Sequence, residues 1–140
     1  MRLLITEPMR VVMDDVGVVS VRAEDASGSF GILPGHADFV TALTPSVVGW
    51  QHADGRRRWC AVRRGVLSVR AGHDVTIATR QAECSDDQAL LEQAMRAHLE
   101  EARESERQAR VAATKLHTSA IREIVRALRP MAHTQNGSVP

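Results

Sequence analysis

The sequence is 140 residues long, which is enough for one domain with a substantial core and a small appendage but too short for two large domains. Its 18 basic and 17 acidic side chains leave a net charge of +1, so the overall charge gives no reason to expect nucleic acid or an acidic membrane surface as a partner. Its apolar runs are too short for a signal-peptide core or a membrane-spanning helix. We therefore expect a soluble protein with no direct membrane insertion.

Short β-branched runs separated by turn signals fill the first part of the chain. They cover residues 3–6, 11–13, 16–21, 30–33, 47–50, 59–62, 66–69 and 75–79. Such spacing is typical of an all-β sandwich or barrel, which we predict over residues 1–83. In the stretch VVSVRAE, residues 18–24, Val19, Val21 and Ala23 alternate with polar residues, so these three are expected to face the core.

Two hairpin turns can be placed within this half. The first is predicted at residues 52–55, where Asp54-Gly55 is a good turn signal between two apolar strands. The second is predicted at residues 71–74, where Gly72 can adopt a positive φ.

Helical periodicity replaces strand periodicity near Glu83. Ser85 and Asp86 offer N-cap oxygens, and neither glycine nor proline follows before Pro130, so residues 84–129 are predicted to be mostly helical. Two apolar stripes flank a polar stretch, which places a turn at residues 103–108 and predicts an antiparallel helical hairpin. One long bent helix is the alternative. The first stripe is Leu91, Met95, Leu99 and Ala102; the second is Ile121, Ile124, Val125 and Leu128. A flexible tail is expected at residues 130–140.

A search for catalytic motifs finds none of the phosphate-binding, hydrolase or metalloprotease patterns. His36 lies two residues before Asp38, but zinc normally takes three or four ligands. No other cysteine lies near Cys84 along the chain to resolve a disulfide, and Cys60 lies in an apolar strand, so two reduced thiols are expected. The basic run 56–58 indicates the exposed face of a hairpin rather than a nucleic-acid site, because the chain has few aromatic residues for stacking.

The segment from Gly28 to Trp50, GSFGILPGHADFVTALTPSVVGW, resembles the signature of the ATP synthase epsilon subunit family. The matching positions are Gly28, Gly31, Ile32, Pro34, Gly35, His36, Ala37, Thr41 and Leu43. A later block matches at Gly65, Leu67 and Val69 but has Arg64 where the family commonly has a glycine. The resemblance covers about residues 1–129 and agrees with the β-then-α order.

This resemblance implies a non-catalytic central-stalk subunit of a membrane rotary ATP synthase. Its partners would be the gamma shaft, the ion-translocating c-ring, driven by protons or sodium ions, and the catalytic alpha and beta subunits. It would lie peripherally on the cytoplasmic side of a bacterial cell membrane. The family's ring-facing loop maps onto Ser29, Phe30, Gly31, Pro34, Gly35 and His36. For Phe30 and His36 the alternative is that they simply close the end of the sandwich.

The resemblance also bears on regulation. Some relatives bind ATP through a D-x-x-R-A motif at the first C-terminal helix, but here Ala89 or Leu90 takes the place of the arginine, so no ATP binding is expected. The C-terminal helices are candidate inhibitors of ATP hydrolysis, with Arg122, Arg126 and Arg129 as candidate regulatory contacts.

Two other interpretations remain open at the level of sequence. One is a free-standing β-sandwich binding module unrelated to ATP synthase. The other is an enzyme or metalloprotein that uses His36, Asp38 and Cys60.

Overall fold

The computed structural model describes residues 1–134, with side chains as far as residue 128. Within this range ten strands precede one helix, which confirms the predicted β-then-α order. The strands are β1 Arg2–Glu7, β2 Arg10–Asp15, β3 Val18–Asp25, β4 Gly28–Ile32, β5 Phe39–Leu43, β6 Ser46–His52, β7 Arg57–Val62, β8 Gly65–Arg70, β9 Asp74–Thr79 and β10 Ala82–Ser85, and the helix is α1 Gln88–Thr134.

The strands form a sandwich of two mainly antiparallel layers. Their order is β10-β7-β6-β3-β5-β8-β9-β1-β2, with β4 paired to β3. Backbone pairing connects the two layers at a single register pair, Asp25 of β3 with Leu43 of β5. Strands β1 and β9 run parallel, unlike the other neighbouring pairs.

Alternation along the strands builds one apolar core between the layers, as expected for a sandwich. The fully buried side chains include Leu3, Ile5, Val18, Val48, Cys60, Val62, Leu67 and Ile77. Polar contacts close the open side of the sandwich, because Glu7 on β1 accepts the Ala82 backbone N–H of β10 at 2.8 Å. The fold therefore has an apolar interior and one side joined through a side chain rather than by a continuous ladder.

Both predicted hairpin turns are confirmed. Strands β6 and β7 flank a turn in which Gly55 has φ of 88°, and strands β8 and β9 flank a turn in which Gly72 has φ of 73°. Ala71 adopts a positive φ of 53° as well.

Three details of the β half differ from prediction. Strands β5 and β10 were missed. The alternation at the start of β3 is also wrong, because the ladder to β6 shifts register between Val18 and Ser20. This irregularity leaves Val18 buried and turns Val19 outward, where it is 36% exposed.

The predicted helical hairpin is corrected to a single helix. No turn interrupts residues 103–108, and α1 is continuous from Gln88 to Thr134, as in the alternative of one long helix. The predicted caps are also corrected, because Ser85 ends β10 and Asp87 caps α1, its carboxylate accepting the Leu90 N–H at 3.2 Å.

The chain divides into two compact units, Met1–Leu99 and the remainder from Glu100 onward. In the first unit, Leu91 and Met95 of α1 are buried. In the second, every side chain from 100 to 128 is exposed. The tail predicted for residues 130–140 falls mostly outside the described residues, since α1 is described as far as Thr134. No helix in the described range is long and apolar enough to cross a membrane.

Candidate protein-interaction site

The loop between β4 and β5, residues 33–38, is held against the β8–β9 turn. The Gly35 N–H donates to the Gly72 carbonyl at 2.8 Å. A Cβ added to Gly72 would lie 3.0 Å from the Gly35 Cα, which is closer than ordinary packing allows. The two glycines therefore permit a backbone contact that side chains would prevent.

Further hydrogen bonds hold the same loop and turn. The Asp38 carboxylate accepts the Ala71 N–H at 2.9 Å, and the His73 ring Nδ1 donates to the Ala71 carbonyl at 2.7 Å. The Arg2 N–H donates to the His73 carbonyl at 2.7 Å and ties the turn to β1. Because several backbone groups are satisfied here, the loop presents a fixed surface rather than a variable one.

Aromatic packing supports the loop from beneath. The Phe30 and Phe39 rings meet edge to face with centroids 5.7 Å apart, and the His36 ring lies 5.8 Å from that of Phe39. Phe30 and Phe39 also pack against the core. Phe30 thus closes this end of the sandwich, and His36 is half-buried beside Phe39.

The residues of the predicted ring-facing loop lie on two neighbouring segments. Ser29, Phe30 and Gly31 belong to β4, and Pro34, Gly35 and His36 belong to the loop. Of these, all but Phe30 and His36 are exposed. Leu33, which sequence reasoning did not single out, is 62% exposed and adds an apolar side chain to the surface.

Thr41, another residue of the signature, has a role in the fold. Its hydroxyl donates to the Asp25 carboxylate at 2.8 Å, and the same carboxylate accepts the Ser27 N–H at 2.9 Å. Thr41 therefore links β5 to the β3–β4 turn. The sequence offered only a weak signal for this contact, an aspartate at a turn.

A second surface, which we name the β5–β8–β9 face, carries no charged side chain. Cross-strand pairing places its members side by side: Val40, Ala42, Val66, Ser68, Thr76 and Ala78. Val40 is 69% and Val66 is 50% exposed. None of these side chains carries a charge, and exposed apolar patches of this kind mark interaction surfaces.

A polar cluster joins the two layers at Asp15. Its carboxylate accepts the Trp50 indole N–H at 2.7 Å and the His52 ring N–H at 2.9 Å, and Arg58 lies 4.0 Å away. Burial pushes the pKa of Asp15 upward, but the bonds from Trp50 and His52 and the charge of Arg58 outweigh it, so the pKa lies below its ordinary value. The cluster is a structural closure of the sandwich, which sequence reasoning missed.

The three residues that the metalloprotein interpretation would use do not form a common site. The His36 ring Nδ1 donates to the Ala37 carbonyl at 2.7 Å, the Asp38 carboxylate accepts Ala71, and Cys60 is fully buried in the core. Within the described residues, no group of three or more histidine, cysteine or acidic side chains could hold a metal ion.

The prediction that the helical segment begins at Cys84 is corrected. Cys84 lies in β10, and its direct cross-strand neighbour is Cys60 of β7. Sequence reasoning missed this second thiol because β10 was not predicted.

The candidate regulatory arginines lie on α1. Arg122 and Arg126 are one turn apart and exposed, so they share a face of the helix; the side chain of Arg129 is outside the described range. Ala89 and Leu90, at the position of the arginine in the ATP-binding motif, are exposed in the first turn of α1.

Comparison with known proteins gives consistent matches. The family model described as ATP synthase, Delta/Epsilon chain, beta-sandwich domain matches residues 1–85. The "ATP synthase epsilon chain 2" of Paraburkholderia xenovorans is 48% identical over 134 residues, which cover 93% of this chain and 94% of that relative. The protein of the same name from Cereibacter sphaeroides is 40% identical over 126 residues, covering 90% of this chain and 86% of that relative.

Chains in two solved structures also match this fold. A chain of the Euglena gracilis mitochondrial ATP synthase, in a structure of OSCP, F1 and c-ring, matches with a TM-score of 0.57 and 25% identity over 72% of this chain and 62% of that chain. A chain of the Tetrahymena thermophila mitochondrial ATP synthase central stalk and c-ring has the same fold, with a TM-score of 0.50 and 14% identity over 59% of this chain and 65% of that chain.

Proposed function

The chain belongs to the ATP synthase delta/epsilon chain family, and we propose that it couples the rotor through two surfaces of its sandwich. It is a non-catalytic subunit of the central stalk, and its partners are the gamma shaft and the c-ring. In this role the chain transmits torque and performs no chemistry of its own. A different surface of the sandwich contacts each partner.

The loop at residues 33–38 is the surface we assign to the c-ring. The observation that carries this assignment is its attachment to the β8–β9 turn through Gly35 and Gly72. A loop that transmits torque must keep its shape under load, and this one is held by the backbone bond between Gly35 and Gly72 and by the bond from the Ala71 N–H to the Asp38 carboxylate. The exposed Leu33 and Pro34 and the half-buried His36 would contact the c-ring.

The β5–β8–β9 face is the surface we assign to gamma. Its residues are small and uncharged, with Val40 and Val66 the most exposed of its apolar side chains. An exposed, uncharged surface of this kind suits a close, mainly apolar contact with a partner subunit.

The two assignments can be separated with paired variants. In purified proteins, Leu33→Ser with His36→Ala should weaken binding to the c-ring and leave gamma binding unchanged. Val40→Asp with Val66→Asp should do the reverse, because a buried unpaired carboxylate is costly at an apolar interface. Each pair is the control for the other, and circular dichroism should verify both folds. If either double variant lost binding to gamma and to the c-ring equally, the assignment would be contradicted.

The chain would lie peripherally on the membrane, on the cytoplasmic side in a bacterial cell. Support comes from its family membership and from the two relatives named epsilon chain 2. Attachment would come through the c-ring rather than through a segment of its own.

A second role, restraint of ATP hydrolysis, is favoured by the surface of α1. Ile121, Ile124, Val125 and Leu128 are three or four residues apart and form one exposed apolar stripe, and Arg122 and Arg126 lie beside it on the same helix. This combination fits a partner with apolar and acidic groups. We propose that this part of α1 contacts the catalytic subunits.

Truncation after Leu99 tests this role, since Met1–Leu99 is a compact unit that retains β10 and the buried Leu91 and Met95. The assembled complex with the truncated chain should hydrolyse ATP faster than the complex with the full chain. An unchanged rate would contradict the restraint. Replacing Arg122 and Arg126 by alanine in the full chain should give part of the same increase.

A further inference from the structure

The two cysteines of the chain are direct neighbours across strands. Cys84 of β10 is paired with Cys60 of β7 in antiparallel register, so both side chains point to the same face. Cα atoms of such pairs lie about 4.5–5.5 Å apart, within the roughly 4.4–6.8 Å that a disulfide spans. The backbone therefore places the two thiols where a bond can form without rearrangement of the fold.

Access to the pair is one-sided. Cys60 is fully buried, with 0% exposure, whereas Cys84 is only partly buried. Cys84 lies on a four-residue strand at the end of the strand order, where β7 is the neighbouring strand. A reagent in solution would therefore meet Cys84 first.

The charges around the pair favour Cys84 as the nucleophile. The neighbouring Cys60 thiol lowers the pKa of Cys84, burial opposes this, and Arg58 and Arg10 lower it further. The interaction with Cys84, followed by burial, raises the pKa of Cys60 above its ordinary value. The two thiols thus differ as an attacking and a resolving cysteine differ.

We propose that Cys60 and Cys84 form a redox-active dithiol that a low-molecular-weight disulfide, RSSR, oxidises to a cross-strand disulfide. The Cys84 thiolate attacks one sulfur of RSSR, forming a Cys84–SR mixed disulfide and releasing RS⁻. Cys60 then gives its proton to RS⁻ and attacks the Cys84 sulfur, which releases the second RS⁻. This second RS⁻ takes up the proton that Cys84 lost when it ionised. The balance is two protein thiols and RSSR giving one protein disulfide and two RSH.

The new bond would link β10, the edge strand that leads into α1, covalently to β7. It closes the chain between residues 60 and 84 and reinforces the contact between Arg58 and Asp86, which lie 3.5 Å apart just beyond β10. This modification site is independent of the coupling role proposed above, since both cysteines lie away from the two assigned surfaces.

Oxidation of the purified full-length chain with oxidised glutathione tests the proposal. Both thiols should be lost together, the mass should fall by two hydrogens with no glutathione retained, and unreduced peptide mapping should yield one cross-linked pair. The midpoint of thermal unfolding should rise by about 5–10 °C, as expected when a disulfide closes a loop, and dithiothreitol should reverse the rise.

Single variants separate the two roles. Cys60→Ser should retain one glutathione on Cys84, because the resolving thiol is absent, and Cys84→Ser should leave the buried Cys60 unmodified. A stable glutathione adduct on wild-type Cys84, a disulfide between two chains, or equal reactivity of Cys60 in Cys84→Ser would overturn the proposal. The mass and the unreduced peptide map of the wild-type chain test the proposal even if a variant folds poorly.

Discussion

At position 65 the close approach of β9 leaves no room for a side chain. A Cβ at this position would lie 2.6 Å from the Ala78 carbonyl oxygen and 3.2 Å from the Thr79 Cβ, both on β9. The preceding Arg64 is exposed and uses its carbonyl to accept the Thr79 hydroxyl. The departure from the family pattern at Arg64 therefore falls where a side chain fits, and the obligatory glycine is retained.

Replacing Gly65 by alanine should push β8 and β9 apart. We expect a loss of about 1–3 kcal/mol in the free energy of unfolding, the usual cost of overpacking, measured by urea denaturation. Gly31→Ala is the matched control, because its nearest neighbour, the Val21 carbonyl oxygen, lies at 3.9 Å. Equal losses in the two variants would contradict the role of the β8–β9 contact.

Asp15 determines how the sandwich responds to acid. Its carboxylate joins β2 to Trp50 and His52 on β6, and its pKa is lowered in the folded protein. A lowered carboxyl pKa contributes stability above the unfolded pKa, about 4 for aspartate. This contribution is lost as the pH falls through the folded pKa.

Asp15→Asn should therefore lower the free energy of unfolding by about 1–3 kcal/mol at pH 7, because hydrogen bonds to a charged acceptor are removed. The difference from wild type should shrink below pH 4 in denaturation curves recorded across the acid range. Asp74→Asn, on a half-exposed side chain, is the control and should change little. A difference that stays constant at all pH values would show that the charge of Asp15 is not the cause.

At the scale of elements, α1 depends on its first turn. Asp87 caps the helix through its bond to the Leu90 N–H, and the sandwich buries only Leu91 and Met95 of the described side chains of α1. Asp87→Ala should cost about 1 kcal/mol and reduce the helical circular-dichroism signal on warming. Asp86→Ala, which removes an exposed ion pair with Arg58 but no cap, is its control; an equal effect there would argue against capping by Asp87.

The β elements could be predicted where apolar and β-branched residues alternate. β10 gave no such signal, because its inward residues are the small Ala82 and Cys84 and its outward ones are the polar Glu83 and Ser85. At β3 the pattern predicted the wrong face for Val19, since an irregularity in pairing is set by the partner strand and not by local sequence.

The helical hairpin was predicted because the stretch at residues 103–108 is too polar for a core. The side chains there are exposed, so no apolar stripe is needed. Glutamate, arginine and glutamine are good helix formers, and Ser105 is too weak a breaker to end the helix. Polarity therefore indicated exposure correctly but was wrong as a sign of a turn.

At the scale of the whole molecule, the candidate site could be predicted only in part. The resemblance located the loop around Gly35 and His36 in the sequence. Its attachment to Gly72 and Ala71 could not be predicted, because residues so far apart in sequence meet only through the pairing of β5 with β8. The β5–β8–β9 face depends on the same pairing.

The coupling role is tested most directly by the ratio of ions moved to ATP hydrolysed. The complex lacking this subunit would be reconstituted into vesicles with wild-type chain or with the Leu33→Ser, His36→Ala variant. Wild type should restore ATP-driven ion transport, and the variant should allow hydrolysis with a lower transport ratio. Full transport without the chain would contradict the coupling role, and so would a variant that no longer binds the c-ring yet matches the transport ratio of wild type.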